Sequence, residues 1–188
     1  SMTQVMTQYM SRRLTHGLRI GALSIGMLLA MSAQADVIDW FGIEQRPNID
    51  GLKKLYVGGG ISNALVAAHA EAPTKYGNLY AKVGQFYDGE EVAGQLGWRY
   101  PYQYSGSSKN GYFLGGFIGH VESDSLNGEL YNRLGAGLEL SYLWQNALRS
   151  GSASVAVAAG EQDTANNGVK KRATPMIIFS VTFGLGVL

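Results

Sequence analysis

Cysteine is absent from all 188 residues, so the fold rests on neither a disulfide framework nor a thiolate metal site. Beyond residue 35 no run of about 18 consecutive apolar residues occurs, which excludes crossing a membrane with helices in that part of the chain. Proline is scarce, with four in the chain, and glycine has no three-residue period, so collagen is excluded. Strong charge of one sign is missing too: 15 Lys+Arg stand against 14 Asp+Glu. That balance gives no footprint for nucleic acid.

What is present begins with a segment unlike the rest. Arg12, Arg13 and Arg19 form a basic stretch without acidic neighbours, Ile20 to Met31 is short and apolar, and Ala33-Gln34-Ala35 has the small residues of a cleavage site. This order is that of a secretory signal peptide, and the apolar stretch is too short to span a bilayer as a helix. Residues 1–35 are therefore expected to be removed, with Met10 the natural start and Asp36 the first residue of a 153-residue mature chain. Once the three leader arginines are gone, 12 basic residues face 14 acidic ones.

Glycine is the abundant residue. Of 26 glycines, 23 lie after residue 35, about twice the usual frequency of roughly 7%. They sit within Val, Leu, Tyr and Phe runs, which argues against disorder and for curved sheet. The period is two. Ile177, Phe179, Val181, Phe183, Leu185 and Val187 alternate with Ile178, Ser180, Thr182, Gly184 and Gly186. Leu134, Ala136, Leu138, Leu140, Tyr142 and Trp144 alternate likewise with Arg133, Gly135, Gly137, Glu139 and Ser141, and Val92 to Tyr102 repeats the pattern. In a strand these sets point to opposite faces.

Eight strands are predicted, at roughly 54–61, 63–71, 77–87, 91–102, 111–122, 129–144, 151–161 and 174–187. Several reach the roughly 9–11 residues that cross a bilayer at a tilt, longer than the usual globular strand. Leu55 to Ala70 reads equally as one long strand. It is split because a bacterial single-chain barrel takes an even number. Asp88-Gly89 is a hairpin signal, and Ser105 to Asn110, Ser123 to Gly128 and Asn166-Asn167-Gly168 have turn composition. The expected fold is all-β: an eight-stranded, up-and-down antiparallel transmembrane β-barrel over residues 54–188, preceded by a periplasmic extension at 36–53 whose Trp40 and Phe41 rest at the membrane interface.

The aromatics supply an independent test. With both termini in the periplasm, Trp98, Tyr100, Tyr102, Tyr112, Tyr142 and Trp144 gather from three strands at the periplasmic edge, as an interfacial girdle requires. Phe86, Tyr87 and Tyr131 are the candidates for the opposite rim.

The chain here resembles small outer-membrane barrel families, and among them the YfaZ-type outer-membrane proteins. The likeness lies in Leu79–Tyr87, in Asp88-Gly89-Glu90-Glu91-Val92-Ala93-Gly94-Gln95-Leu96-Gly97 and in Leu134-Gly135-Ala136-Gly137-Leu138-Glu139-Leu140. It implies a barrel fold and a Gram-negative outer-membrane location, with no catalytic motif to carry over. One departure is the end, Leu185-Gly186-Val187-Leu188, where such barrels commonly carry an aromatic residue read by the assembly machinery.

Candidate sites follow from the faces. Lys82, Gln95, Arg99, Arg133 and Glu139 fall on the predicted lumen side, where opposite charges pair into a polar plug or line a narrow path. Arg133 and Glu139 lie six residues apart on one strand, about 20 Å at about 3.3 Å per residue, so their partners must come from neighbouring strands. His120 is the one candidate base for a lipid A-remodelling enzyme, but Ser123 falls on the opposite face of a regular strand, so the chain is read as non-catalytic. His69 reads as a rim or turn residue. Lys170, Lys171 and Arg172, in a charged connection from Glu161 to Arg172, are placed to contact lipopolysaccharide phosphates. No cofactor or metal is expected. The expected partners are outer-membrane lipid, lipopolysaccharide and the barrel assembly machinery, with the protein a monomer. Its expected role is structural, surface-interactive or a minor permeability one. The alternatives are a lipid-modifying enzyme and a soluble periplasmic lipocalin-like binder.

Overall fold

The computed structural model describes residues 49–104, 109–126, 129–164, 170–171 and 175–188. The expected leader at 1–35, Trp40 and Phe41, and Arg172 lie outside the described residues. The strands are β1 Tyr56–Ser62, β2 Leu65–Thr74, β3 Gly77–Phe86, β4 Val92–Tyr104, β5 Gly111–Leu126, β6 Glu129–Gln145, β7 Arg149–Gly160, β8 Asp163–Thr164, β9 Lys170–Lys171 and β10 Pro175–Gly186. Eight of them form one closed antiparallel barrel in the order β1-β10-β7-β6-β5-β4-β3-β2, while β8 and β9 pair only with each other.

Closure joins β1 to β10, from Tyr56 opposite Gly186 to Ser62 opposite Ser180. The seam continues past the strands at both ends. Lys54 N–H donates to Leu188 O at 2.6 Å, and the Asn63 side chain donates to Ile177 O at 3.0 Å while accepting from Phe179 N–H at 3.2 Å. The two-residue connection Asn63-Ala64 separates β1 from β2, so the split of Leu55–Ala70 holds. Ser62 Oγ accepts from the N–H groups of Ala64 and Leu65 and caps that turn.

Two register shifts shape the wall. Between Pro101 and Gln103 an extra residue, Tyr102, is left unpaired against β5. Proline has no N–H for a ladder, and bulges are where sheets tolerate it. Between His120 and Glu122 the extra residue is Val121. Gly119, just before it, has φ +138, a conformation that side chains disfavour. Past this bulge β5 pairs only with β6, so the hairpin of residues 120–134 extends beyond the closed wall. Strand structure therefore runs on through Leu126 where turn composition had predicted a loop from Ser123, because cross-strand pairing overrides local propensity. The charged connection 161–172 likewise contains the short β8–β9 pair.

Side chains sort by parity. Outward on β10 stand Ile177, Phe179, Val181, Phe183 and Leu185, all about half exposed; inward stand the buried Ile178, Ser180 and Thr182. The interior is less uniformly polar than the alternation predicted. Leu65, Ala67, Phe86 and Ala93 form one buried apolar cluster, and Tyr80, Phe117, Val121, Ala156, Ala158 and Ile178 form another. Phe86 is thus an interior residue and not an outer-rim aromatic: it shares parity with Tyr80 and Lys82, and its ring fills lumen space. Tyr131 is half-buried with the parity of Arg133, and Tyr87 is exposed as expected.

Glycine sets the bore at defined places. A Cβ on Gly97 would collide with the Tyr80 ring, whereas one on Gly59, on the outer face, meets nothing closer than 3.6 Å. Gly97→Ala should therefore cost about 1–3 kcal/mol through overpacking, and Gly59→Ala should be nearly neutral. Urea unfolding of the folded barrel, followed by tryptophan emission, measures both, and equal effects would contradict this account.

Candidate functional site: the charged lumen

Four strands deliver charge to the barrel interior because inward parity selects one residue in two. From β2 come His69 and Glu71, from β3 Asn78, Tyr80 and Lys82, from β4 Gln95 and Arg99, and from β6 Glu139 and Arg133. His69, Glu71, Asn78, Tyr80, Arg99, Arg133 and Glu139 are all buried.

Glu71 is the hub. Its Oε2 accepts from Arg99 Nη2 at 2.5 Å and lies 3.1 Å from His69 Nε2, and its Oε1 accepts from Asn78 Nδ2. Arg99 also reaches toward Glu139, with Nη1 4.0 Å from Oε1. The Tyr80 ring sits between cations, 4.8 Å from the Arg99 guanidinium carbon and 5.3 Å from Lys82 Nζ. Lys82 Nζ donates to Ser180 Oγ at 3.5 Å. Two hydroxyl pairs line the opposite wall: Ser154 with Ser180 and Ser152 with Thr182, each at 2.6 Å. A lone buried charge costs several kcal/mol, and the hydrogen bonds that Glu71 accepts from Arg99 and Asn78 offset that cost.

A second cluster lies where the β5–β6 hairpin leaves the wall. Arg133 Nη1 bonds Glu122, its register partner, and lies 3.9 Å from Asp124; Nη2 donates to Glu161 O at 2.6 Å. The bulge at Val121 makes this pairing, since it turns Glu122 to the inner face where regular alternation would have turned it out.

Five lumen residues were expected from parity: Lys82, Gln95, Arg99, Arg133 and Glu139. All lie on the inner face, but they form two clusters and not one, with Arg133 apart from the others. Gln95 does not join the ionic cluster; its amide donates to His120 O at 2.9 Å. The residue that organises the first cluster, Glu71, was not anticipated. Its strand is rich in alanine, so apolar alternation is faint, yet Leu65, Ala67, His69 and Glu71 share one parity. His69 needs correction: it is an interior residue bonded to Glu71, not a rim histidine.

His120 also differs from expectation. The bulge puts His120 opposite Leu134 and Ser123 opposite Asn132, both on the outer-face parity of β6, so the two lie on one side and not on opposite sides. They are not engaged with each other. His120 Nδ1 accepts from Gly94 N–H at 2.9 Å, and Ser123 Oγ has no hydrogen-bond partner among the described residues.

The six outward aromatics do share one end of the barrel, the end with the Tyr56–Gly186 seam and the β2–β3, β4–β5 and β6–β7 connections. Tyr112 and Tyr142 are register partners in edge contact with centroids 5.2 Å apart, and Trp98 Nε1 donates to Tyr76 O at 2.8 Å in the β2–β3 turn. At the other end the backbones of Lys170 and Lys171 pair with Thr164 and Asp163.

A pocket beside Ser62, Leu65, Lys82, Gln95, Val121 and Ser180 has about 20 Å³ of free volume, room for a water molecule and little more. Among the described residues no group of three or more His, Cys, Asp or Glu is arranged to hold a metal ion. Set against protein-family models, curated proteins and solved structures, the chain matches none.

The lumen chemistry is therefore mutual neutralisation across strands. Arg99→Met or Glu71→Gln should each lower stability by about 3–5 kcal/mol, because each leaves a buried partner unpaired. The double variant should lose clearly less than the sum, and additive losses in urea unfolding would show that the two groups are not coupled.

Proposed function

We propose that this chain is a non-catalytic barrel of the Gram-negative outer membrane, monomeric and plugged, with a structural or surface-interaction role and at most minor permeability. One observation carries the reading: polarity is inverted relative to a water-soluble protein. Leu138, Ile177, Phe179, Ile61 and Val157 are each more than half exposed, while Glu71, Arg99, Arg133 and Glu139 are buried. Water-soluble monomers rarely expose continuous apolar surface beyond a few hundred Å². In a bilayer that same belt faces hydrocarbon, and the charges face each other in the lumen.

Other features agree. Within the wall, closure satisfies the strands' backbone groups internally, as hydrocarbon requires, and leaves no open sheet edge there. Outward Trp98, Tyr100, Tyr102, Tyr112, Tyr142 and Trp144 at one end suit a membrane–water interface. The signal-peptide pattern of residues 1–35 supports export, and the stretches that resemble YfaZ-type outer-membrane proteins fall on β3, β4 and β6. Assembly machinery and lipopolysaccharide are its expected partners there, with Lys170, Lys171 and Arg172 the proposed phosphate contacts. A soluble lipocalin-like binder would carry its apolar face inward, around a cavity far larger than one water. An acyl-transfer or deacylase chemistry would need a base in reach of a nucleophile, and His120 is held by a backbone N–H instead.

Membranes from expressing cells test the reading. The protein should resist salt and carbonate and leave the membrane only with detergent. Reconstituted in planar bilayers, it should show no steady porin-like conductance. Release by salt or carbonate alone would overturn membrane insertion, and a large stable conductance would overturn the plug.

A further inference from the structure

The two ends of the barrel carry opposite charge. At the end with the seam and the outward aromatics stand Lys53 and Lys54 before β1, Lys75 in the β2–β3 turn, Lys109 before β5 and Arg149 at the start of β7. Among the described residues, Asp50 is the acidic side chain there outside the lumen. The opposite end has Asp88, Glu90 and Glu91 between β3 and β4, Glu122, Asp124 and Glu129 on the β5–β6 hairpin, and Glu161 and Asp163 after β7. Among the described residues, its basic ones are Arg133, Lys170 and Lys171. Near-neutral composition hides this polarity, because the two signs cancel only over the whole chain.

The basic rim is also placed at a particular depth. Lys53, Lys54, Lys75 and Arg149 are exposed, and they ring the strand ends whose outward faces carry Trp98, Tyr112, Tyr142 and Trp144. Lys109 Nζ lies against Gly51, two residues from Lys53, so the β4–β5 and β1 approaches bring their charges to one side. Long basic side chains beside an aromatic belt bury their stems and hold their charge at headgroup level. Each such charge near an anionic surface adds attraction that fades within about 8 Å at physiological salt.

Resting on the membrane reading above, we propose that this rim binds the anionic phospholipid headgroups of the leaflet on its own side, gathering phosphatidylglycerol-type lipids around the barrel. Charge complementarity selects the ligand: clustered cations at interface depth favour a net-negative headgroup over a zwitterionic one. Away from the Lys170–Lys171 stretch the far end is acidic and repels such headgroups, so the rim also supplies a sense of orientation in the membrane.

Tryptophan quenching tests it, because Trp98 and Trp144 lie at this end and Trp40 is the third tryptophan of the chain. The full chain with Trp40→Phe is folded into phosphatidylcholine vesicles containing the same minor fraction of either brominated phosphatidylcholine or brominated phosphatidylglycerol. Brominated phosphatidylglycerol should behave as if about twofold or more enriched beside the tryptophans, and salt near 1 M should remove the excess. The Lys53→Gln/Lys54→Gln/Lys75→Gln/Arg149→Gln variant should show no excess at low salt; the salt series on unsubstituted rims answers the same question should that variant misfold. Equal quenching by both lipids would overturn headgroup selection while leaving membrane insertion intact. Quenching by neither lipid would overturn insertion and the headgroup proposal together.

Discussion

Pairing of β1 with β10 removes both edges of the sheet at once and thereby creates an inside. Seven residue pairs from Tyr56–Gly186 to Ser62–Ser180 make the ladder, extended by Lys54 with Leu188 at one end and Asn63 with Ile177 and Phe179 at the other. Without that seam, β1 and β10 would each present unpaired N–H and C=O groups, and the inward side chains of β2, β3, β4 and β6 would face solvent separately. With it, a narrow bore forces them together. Pairing of β2 with β3 and of β3 with β4 sets Glu71, Asn78 and Arg99 side by side, and closure buries that cluster, so it is not an independent feature of any strand.

Once the bore is fixed, its contents must neutralise each other. Glu71 accepts from Asn78 and Arg99 and contacts His69, and Arg99 is shared with Glu139. Small residues make the room: Gly97 faces Tyr80 and Gly137 faces Phe117, and a Cβ at either position would enter the neighbouring ring. High glycine content and the bulky inward rings are thus parts of one solution, since each ring needs bare backbone across from it. In the pocket beside Lys82, Gln95 and Ser180 the same packing leaves about 20 Å³ of free volume.

The two bulges divide the work of wall and rim. Tyr102 is pushed outward at the aromatic end, and Val121 redirects the β5–β6 hairpin so that Glu122 meets Arg133. Both re-aim side chains where strands leave the regular wall. The polarity of the ends, basic near the aromatics and acidic at the hairpin, is then a property of which turns lie together.

Strand positions were legible in the chain because period-two alternation needs only the pleat, which is local. Ile177 to Val187 and Leu134 to Trp144 could be assigned to faces without knowing their neighbours, and the six girdle aromatics to one end once the strand directions were set. Lys82, Arg99, Arg133 and Glu139 were legible as inward for the same reason. Tertiary structure decided what local pattern does not contain. It made Glu71 the hub, because its partners are spread from residue 69 to residue 99 and meet only once β2, β3 and β4 are paired in register. It drew Phe86 and His69 inside, and it used one extra residue at Val121 to bring His120 and Ser123 to the same face. Parity follows from covalent geometry within a strand, whereas pairing, register shifts and closure are settled between strands by hydrogen bonds and packing that no single segment encodes.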